Sequence, residues 1–254
     1  MKKTSAVVNM LFEAAGLEVP TRGDVLKMVK KAVVKKMNVK KEKPLERKGT
    51  SLEDVEKMVR KIYLKMGNKA PAVKKQFLAL QLVLFTGLKR FSDVNRILVK
   101  DLEFKEDNSL EVWMKRSKTD QESKGEKFVI SGERMRNGAS VPDIMRWYLK
   151  AMKLKESAYV FCHIDQKNEC HQDRFITYAE ARRVMIKEQV WLGLRKISLH
   201  SGRIGGATEA AAAGAGRAAI MRAGGWRSGA VDTYIRPTEE GQEVSRMLVR
   251  RLQV

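Results

Sequence analysis

Residues 201–225 read SGRIGGATEAAAAGAGRAAIMRAGG, and no other stretch narrows the fold as much. Alanine is the strongest helix former and glycine a common helix stop. The stretch therefore predicts short helices: Gly214 and Gly216 close the first, RAAIMRA forms the second, and Gly224-Gly225 ends it. These helices carry little side-chain bulk. Gly205 and Gly206 leave room for another backbone to come close. Ser198 or Ser201 is placed to cap the first helix, and Ser228 to cap a final turn before Pro237.

Upstream the pattern is also helical. Ser51, with Asp54 three residues on, starts LEDVEKMVRKIYLKM, and the strongly apolar AVKKQFLALQLVLF follows until Thr86-Gly87. RFSDVNRIL restarts a helix with Ser92 as its cap. DLEF, LEVWM and KFVIS, separated by a turn and by the polar loop KRSKTDQESKGE, read as a three-stranded antiparallel meander. PDIMRWYLKAM and TYAEARRVMIKEQVWL are helices, and AYVFCHI is a short strand or extended segment. The fold class is mainly α with a small three-stranded antiparallel sheet.

KPLERKGTS is a linker, which divides the chain into 1–48 and 49–254. In the first part Leu26, Val29 and Val33 make an apolar helical stripe. Lys30, Lys31, Lys35, Lys36, Lys40 and Lys41 occupy the remaining face, as phosphate contacts, an import signal or a solvated surface. At the other end Val244, Met247, Leu248 and Leu252 share one face, which must pack on its own domain or on a neighbour.

The 254 residues are 43% hydrophobic, ample for a core, with 51 lysines and arginines against 30 acids for a net charge of +21. So large an excess fits a polyanion, most commonly nucleic acid, and DNA could enter the Gly205-Gly206 gap as readily as backbone. No apolar run approaches a membrane span, and Asn9 and Glu13 interrupt the one segment that imitates a signal peptide. Two cysteines cannot staple a chain this long, which predicts a reducing compartment. Cys162-His163 and Cys170-His171 invite a zinc reading, but the gap between the cysteines is too wide for the usual tight pair, so no metal is expected.

His200 and Arg203 are spaced i, i+3, on one helical face; Trp226 and Tyr234 follow. A tyrosine among cations suits attack on a phosphodiester. Arginine's planar fork holds two phosphate oxygens, cations favour the phenolate, and a lysine can protonate the departing oxygen. Such chemistry needs no metal or nucleotide cofactor. Taken singly, these residues are ordinary surface arginines, a core aromatic and a helix-end tyrosine.

In order, they resemble the tyrosine recombinases of the phage-integrase superfamily, especially its Cre-like branch. HSGRIGGA is similar to the His-x-x-Arg box, and AGGW followed by YIR to the region of the last aromatic and the nucleophile. TGLKRFSDVNRI resembles the first arginine box, with Arg90 and its acidic partner Asp93, although a one-residue slip would select Lys89. KRSKTDQ resembles the lysine hairpin, giving Lys118 ahead of Lys115. The middle of the chain is similar to recombinases of eukaryotic mobile elements of the DIRS type.

The resemblance implies a partial N-terminal DNA-binding segment (1–48) and a catalytic domain (49–254) with a C-terminal docking helix. It implies that Tyr234 attacks the scissile phosphate and forms a 3′-phosphotyrosyl link. Arg90, Arg203 and Trp226 hold its oxygens, His200 handles the nucleophile's proton, and Lys118 protonates the leaving group. Lys115, Arg116 and Arg227 are further expected DNA contacts. The implied partners are double-stranded DNA and three further copies of the chain on paired sites, with no membrane. The location is the nucleus for a eukaryotic element, otherwise the cytoplasm or nucleoid. A type IB topoisomerase and a domesticated DNA-binding protein are the alternatives.

Overall fold

The computed structural model describes residues 14–16, 49–115, 125–194, 197–226, 231 and 244–252. The chain divides into two compact units, Met1–Glu46 and Arg47–Val254. The six lysines at positions 30 to 41 lie outside the described residues, and so does the stripe of Leu26, Val29 and Val33. Arg90, Lys115, His200, Arg203 and Trp226 all belong to the second unit.

Helix α1 (Leu52–Met58) opens with the reciprocal cap expected from Ser51 and Asp54: the Asp54 amide donates to the serine hydroxyl, and the Ser51 amide to the Asp54 carboxylate. It continues as a wider π-helical turn over Val59–Met66. Helix α2 (Ala72–Thr86) is the centre of the domain; thirteen of its fifteen residues are buried. A helix buried on nearly every side is a core element surrounded by others, even with Lys75, Gln76 and Gln81 among its buried residues.

After the short helix α3 (Phe91–Val94) come β1 (Leu102–Phe104), β2 (Leu110–Met114) and β3 (Glu126–Ile130), paired antiparallel in sequence order as the meander predicts. The registers Leu102↔Val112 and Val112↔Phe128 align their alternate residues, and Leu110, Val112 and Met114 bury one face of β2. Helix α4 (Val141–Ala151), capped by Ser140, precedes a second hairpin, β4 (Cys162–Ile164) with β5 (Cys170–Phe175). The sequence signals only the first strand of that hairpin, because CHQDRF is too polar to read as a strand. Helix α5 (Tyr178–Leu192) follows, capped by Thr177 with Glu180.

Helices α6 (Ser201–Ala212) and α7 (Arg217–Gly224) are the alanine-rich pair. A Cβ at Gly205 would stand 1.9 Å from the Thr50 carbonyl oxygen, and one at Gly206 would stand 2.1 Å from that of Phe85. Backbone, not DNA, fills this gap, and α6 packs directly on α2. Neither Ser198 nor Ser201 caps α6 by the expected side-chain bond; the Ser198 amide instead donates to the Ser201 hydroxyl, bracing the turn before the helix.

The last helix, α8 (Val244–Arg251), packs against its own chain, one of the two placements that its apolar face allows. Leu248, Val249 and Leu252 are buried within this chain, and the Arg136 amide donates to the Leu252 carbonyl. Helix α8 lies against α6, α2, α7 and β3. Among the described residues, no helix is long and apolar enough to cross a membrane.

Candidate nucleic-acid interface and strand-cleavage site

Helix α2 stops at Gly87, and Leu88, fully buried, takes a left-handed conformation at φ 53°. A branched side chain adopts that region at a cost, so its burial must hold it there. The turn sends consecutive residues in opposite directions. Lys89 goes inward, with its side chain 3% exposed, and its ammonium sits 3.4 Å from a Glu126 carboxylate oxygen. Arg90 goes outward and lines a groove.

Asp93 accepts the Arg90 amide at 3.2 Å and stands 3.7 Å from the guanidinium. This carboxylate, not Ser92, closes the start of α3 and fixes the Arg90 side chain from behind. The expected acidic partner is therefore in contact with its arginine.

The groove has a volume of about 930 Å³. His200, the residue before α6, and Lys115, just past β2, line it with Arg90. Lys115 is exposed and pairs with Asp101 at 3.4 Å. Aromatic rings line the groove as well: Arg96 stacks over Phe175 at 4.6 Å, Phe175 meets Tyr159 edge-on, and Tyr178 packs edge-on against Phe91. Asp93 and Asp101 line it too, and cations among aromatic faces are the groups that single-stranded nucleic-acid sites use for phosphates and bases. Sequence reading missed Arg96, Tyr159 and Phe175. The only signal available was the basic and aromatic character of residues whose meeting depends on the unpredicted hairpin.

Arg203 and Trp226 form a layer that the chain itself covers. Arg203 is 1% exposed, donates from Nη1 to the carbonyls of Leu88 and Gly224, and lies 3.6 Å from the centroid of the Trp226 ring. His200 and Arg203 thus share a helix turn but not an environment: the first faces the groove, the second the interior. Trp226 is 8% exposed, and a Cβ at Gly224 would collide with its ring at 1.8 Å. The glycine pair that stops α7 also makes room for the indole.

Lys118 and Arg116 belong to residues 116–124, between β2 and β3, and lie outside the described residues; so do Arg227, Ser228 and Tyr234. The anchors of these segments are described. Lys115 sits at the groove and Glu126 beside Lys89, while Val231 is fully buried three positions before Tyr234.

The two cysteines meet, a pairing that the sequence did not signal. Cys162 and Cys170 are joined by a disulfide across the β4–β5 hairpin, their Cα atoms 6.1 Å apart. The staple is local, closing one hairpin and not the chain as a whole. Neighbouring residues on a strand point to opposite faces, so the two histidines cannot join the sulfurs around one ion. His163 pairs with Glu180 at 2.6 Å and His171 with Asp165 at 3.1 Å instead. Among the described residues no cluster of His, Cys, Asp or Glu is arranged to hold a metal.

A helical domain built round one central helix, with a small antiparallel meander beside a basic groove, is the fold of a tyrosine recombinase catalytic domain. The chain is similar to the Tn1549 transposon integrase solved with circular intermediate DNA, at a TM-score of 0.52 and 12% identity, over 94% of this chain and 80% of that one. It is also similar to the XerH site-specific recombinase bound to its palindromic difH substrate after cleavage, at 0.50 and 16%, over 81% of this chain. It spans about half the length of the XerH chain, at 50%. At these identities the likeness is one of fold. No protein-family model matches the sequence, and no curated protein does.

Proposed function

We propose that this chain cuts and rejoins DNA as a site-specific recombinase or integrase, through a covalent tyrosyl intermediate. The observation that carries the reading is the common groove of Arg90, His200 and Lys115 on this fold, backed by the buried Arg203–Trp226 layer. A net charge of +21 suits a DNA partner.

In this reading the phenol oxygen of Tyr234 attacks the scissile phosphorus in line and the 5′ oxygen departs. His200 accepts or orients the phenol's proton. Lys118 supplies the proton that the leaving oxygen takes up. Arg90, oriented by Asp93, stabilises the charge on the non-bridging oxygens. Arg203 adds positive potential from beneath and fixes the turn that presents Arg90, while Trp226 shields it from water. A 5′ hydroxyl of another strand then displaces the tyrosine, so bond energy is conserved in the phosphotyrosine and no ATP is consumed. The finer reading is a Cre-like enzyme of a eukaryotic mobile element, acting in the nucleus as a tetramer on paired sites.

The test is a nicked duplex on which the cleaved end diffuses away, trapping the enzyme on DNA. The native chain should accumulate a covalent adduct and Tyr234→Phe should form none while still binding duplex. An adduct in the Phe variant removes Tyr234 from the mechanism. Relaxation of supercoiled plasmid by single chains at any sequence would select the topoisomerase reading, and binding without any adduct would select the non-catalytic one.

A further inference from the structure

Lys89 is a charge placed where charge is costly. Its side chain is 3% exposed, so it cannot touch a phosphate in the groove that Arg90, the next residue, lines. Three parts of the site converge on it. Glu126, the first residue of β3, presents its carboxylate at 3.4 Å, and the ring of Phe128 lies 5.0 Å away. Arg203 and Asp93 are close enough to act on its charge. A Cβ at Gly225 would stand 3.7 Å from the same Glu126 carboxylate, so that glutamate also adjoins the residue before Trp226.

Burial pulls the Lys89 ammonium below the ordinary lysine range, with Arg203 adding to the effect and Glu126 and Asp93 opposing it. A well-packed apolar side chain often serves stability as well as a buried ion pair or better. Stability therefore gives little reason for a lysine here. Geometry gives one: Lys89 directly precedes Arg90, and its partner Glu126 opens β3 and adjoins Gly225, the residue before Trp226.

We propose that Lys89 is a positioning residue that ties the turn presenting Arg90 to the foot of β3, holding Arg90 in a fixed relation to Glu126 and, through it, to the residue before Trp226. The inference rests on the recombinase reading of the groove. Misplacing a reacting group by about 1 Å can cost on the order of 10²-fold in rate. A lost Lys89–Glu126 tie should therefore appear in strand cleavage before it appears in DNA affinity.

The variants are Lys89→Met, which keeps the buried stem, Glu126→Gln, and the pair together. Expected are single-turnover adduct rates on the nicked duplex lower by about 10–10²-fold in each single variant, duplex affinity within about twofold, and a double variant no slower than the worse single one. Amide hydrogen exchange should quicken along Glu126–Ile130 and at residues 224–226 while staying unchanged in α2. A Lys89→Met enzyme cleaving at the native rate overturns the proposal, as does uniform loss of protection through α2, which marks a merely structural lysine. Should Lys89→Met fail to fold, Glu126→Gln, at a side chain 35% exposed, decides on the same readouts. If the native chain forms no adduct, the recombinase reading falls by itself; unchanged exchange in β3 would then sink the Lys89 tie, and quickened exchange there would uphold it.

Discussion

The guanidinium of Arg203 lies 3.6 Å from the centre of the Trp226 ring while its Nη1 donates to the Leu88 and Gly224 carbonyls. One side chain thus joins the turn after α2, the first turn of α6 and the end of α7. Arg203→Ala leaves two buried carbonyls without this donor and the indole without its cation. The loss should be about 3 kcal/mol of folding stability, because each charged hydrogen bond and a desolvated cation–π contact contribute on the order of 1–3 kcal/mol. Urea unfolding should show a lower midpoint at constant slope. A midpoint unchanged within error would mean that the arginine is not committed to these carbonyls.

Arg90 gives the opposite balance. Its side chain is 28% exposed and its link to Asp93 is that of a partly solvated pair, which contributes little to stability. Arg90→Ala should leave the melting temperature nearly unchanged. It should slow covalent adduct formation by about 10²–10³, the loss typical of one transition-state donor. Native-rate cleavage would exclude Arg90 from the reacting phosphate.

Gly205→Ala and Gly206→Ala should each destabilise the domain. The new methyl would sit 1.9 Å from the Thr50 oxygen in one case and 2.1 Å from the Phe85 oxygen in the other. Overpacking of this kind costs about 1–3 kcal/mol or more, because backbone, unlike a side-chain tip, cannot swing aside. Thr208→Ala, on the exposed side of the same helix, is the control and should melt within a few degrees of the native chain. Equal melting of all three variants would contradict the backbone contact.

Lys115 should act on affinity without reading sequence. An exposed lysine at the groove edge can neutralise one phosphate, even though Asp101 shares it in the free protein. Lys115→Ala should weaken binding to all duplexes alike and flatten the slope of log affinity against log salt by about one. Titrations at several salt concentrations measure this; an unchanged slope removes Lys115 from the phosphate contacts.

Glu209, on α6, carries a pH signature. Burial raises its carboxyl above the ordinary glutamate value, and the Arg251 charge opposes the rise. Folded chains then hold this proton more tightly than unfolded ones. The contribution favours folding at low pH and is lost as the pH climbs through the raised value. Glu209→Gln should therefore melt close to the native chain near pH 4 and gain relative to it near pH 7. A gap that does not change with pH would show that folding does not raise the carboxyl's pKa.

Much of the secondary structure was legible locally. The Ser51–Asp54 cap, the apolar run of α2, the alternation in β2 and the glycine stops of α7 are each written within a few neighbouring residues, where propensity and periodicity act. Arg90 could be assigned from its motif only with Lys89 as a rival. Only the left-handed turn at Leu88 sends one of them into the groove and the other beneath it.

The order of His200, Arg203, Trp226 and Tyr234 and the excess of positive charge are properties of the chain as written, and they alone pointed to phosphodiester chemistry. Packing decided the rest. It filled the Gly205-Gly206 gap with backbone instead of DNA, seated α8 on its own domain, joined the two cysteines across a hairpin too polar to foresee, and separated groove-facing His200 from buried Arg203. A helical face can be read from spacing. What covers that face depends on segments a hundred residues away, and their approach is set by the shape of the whole core.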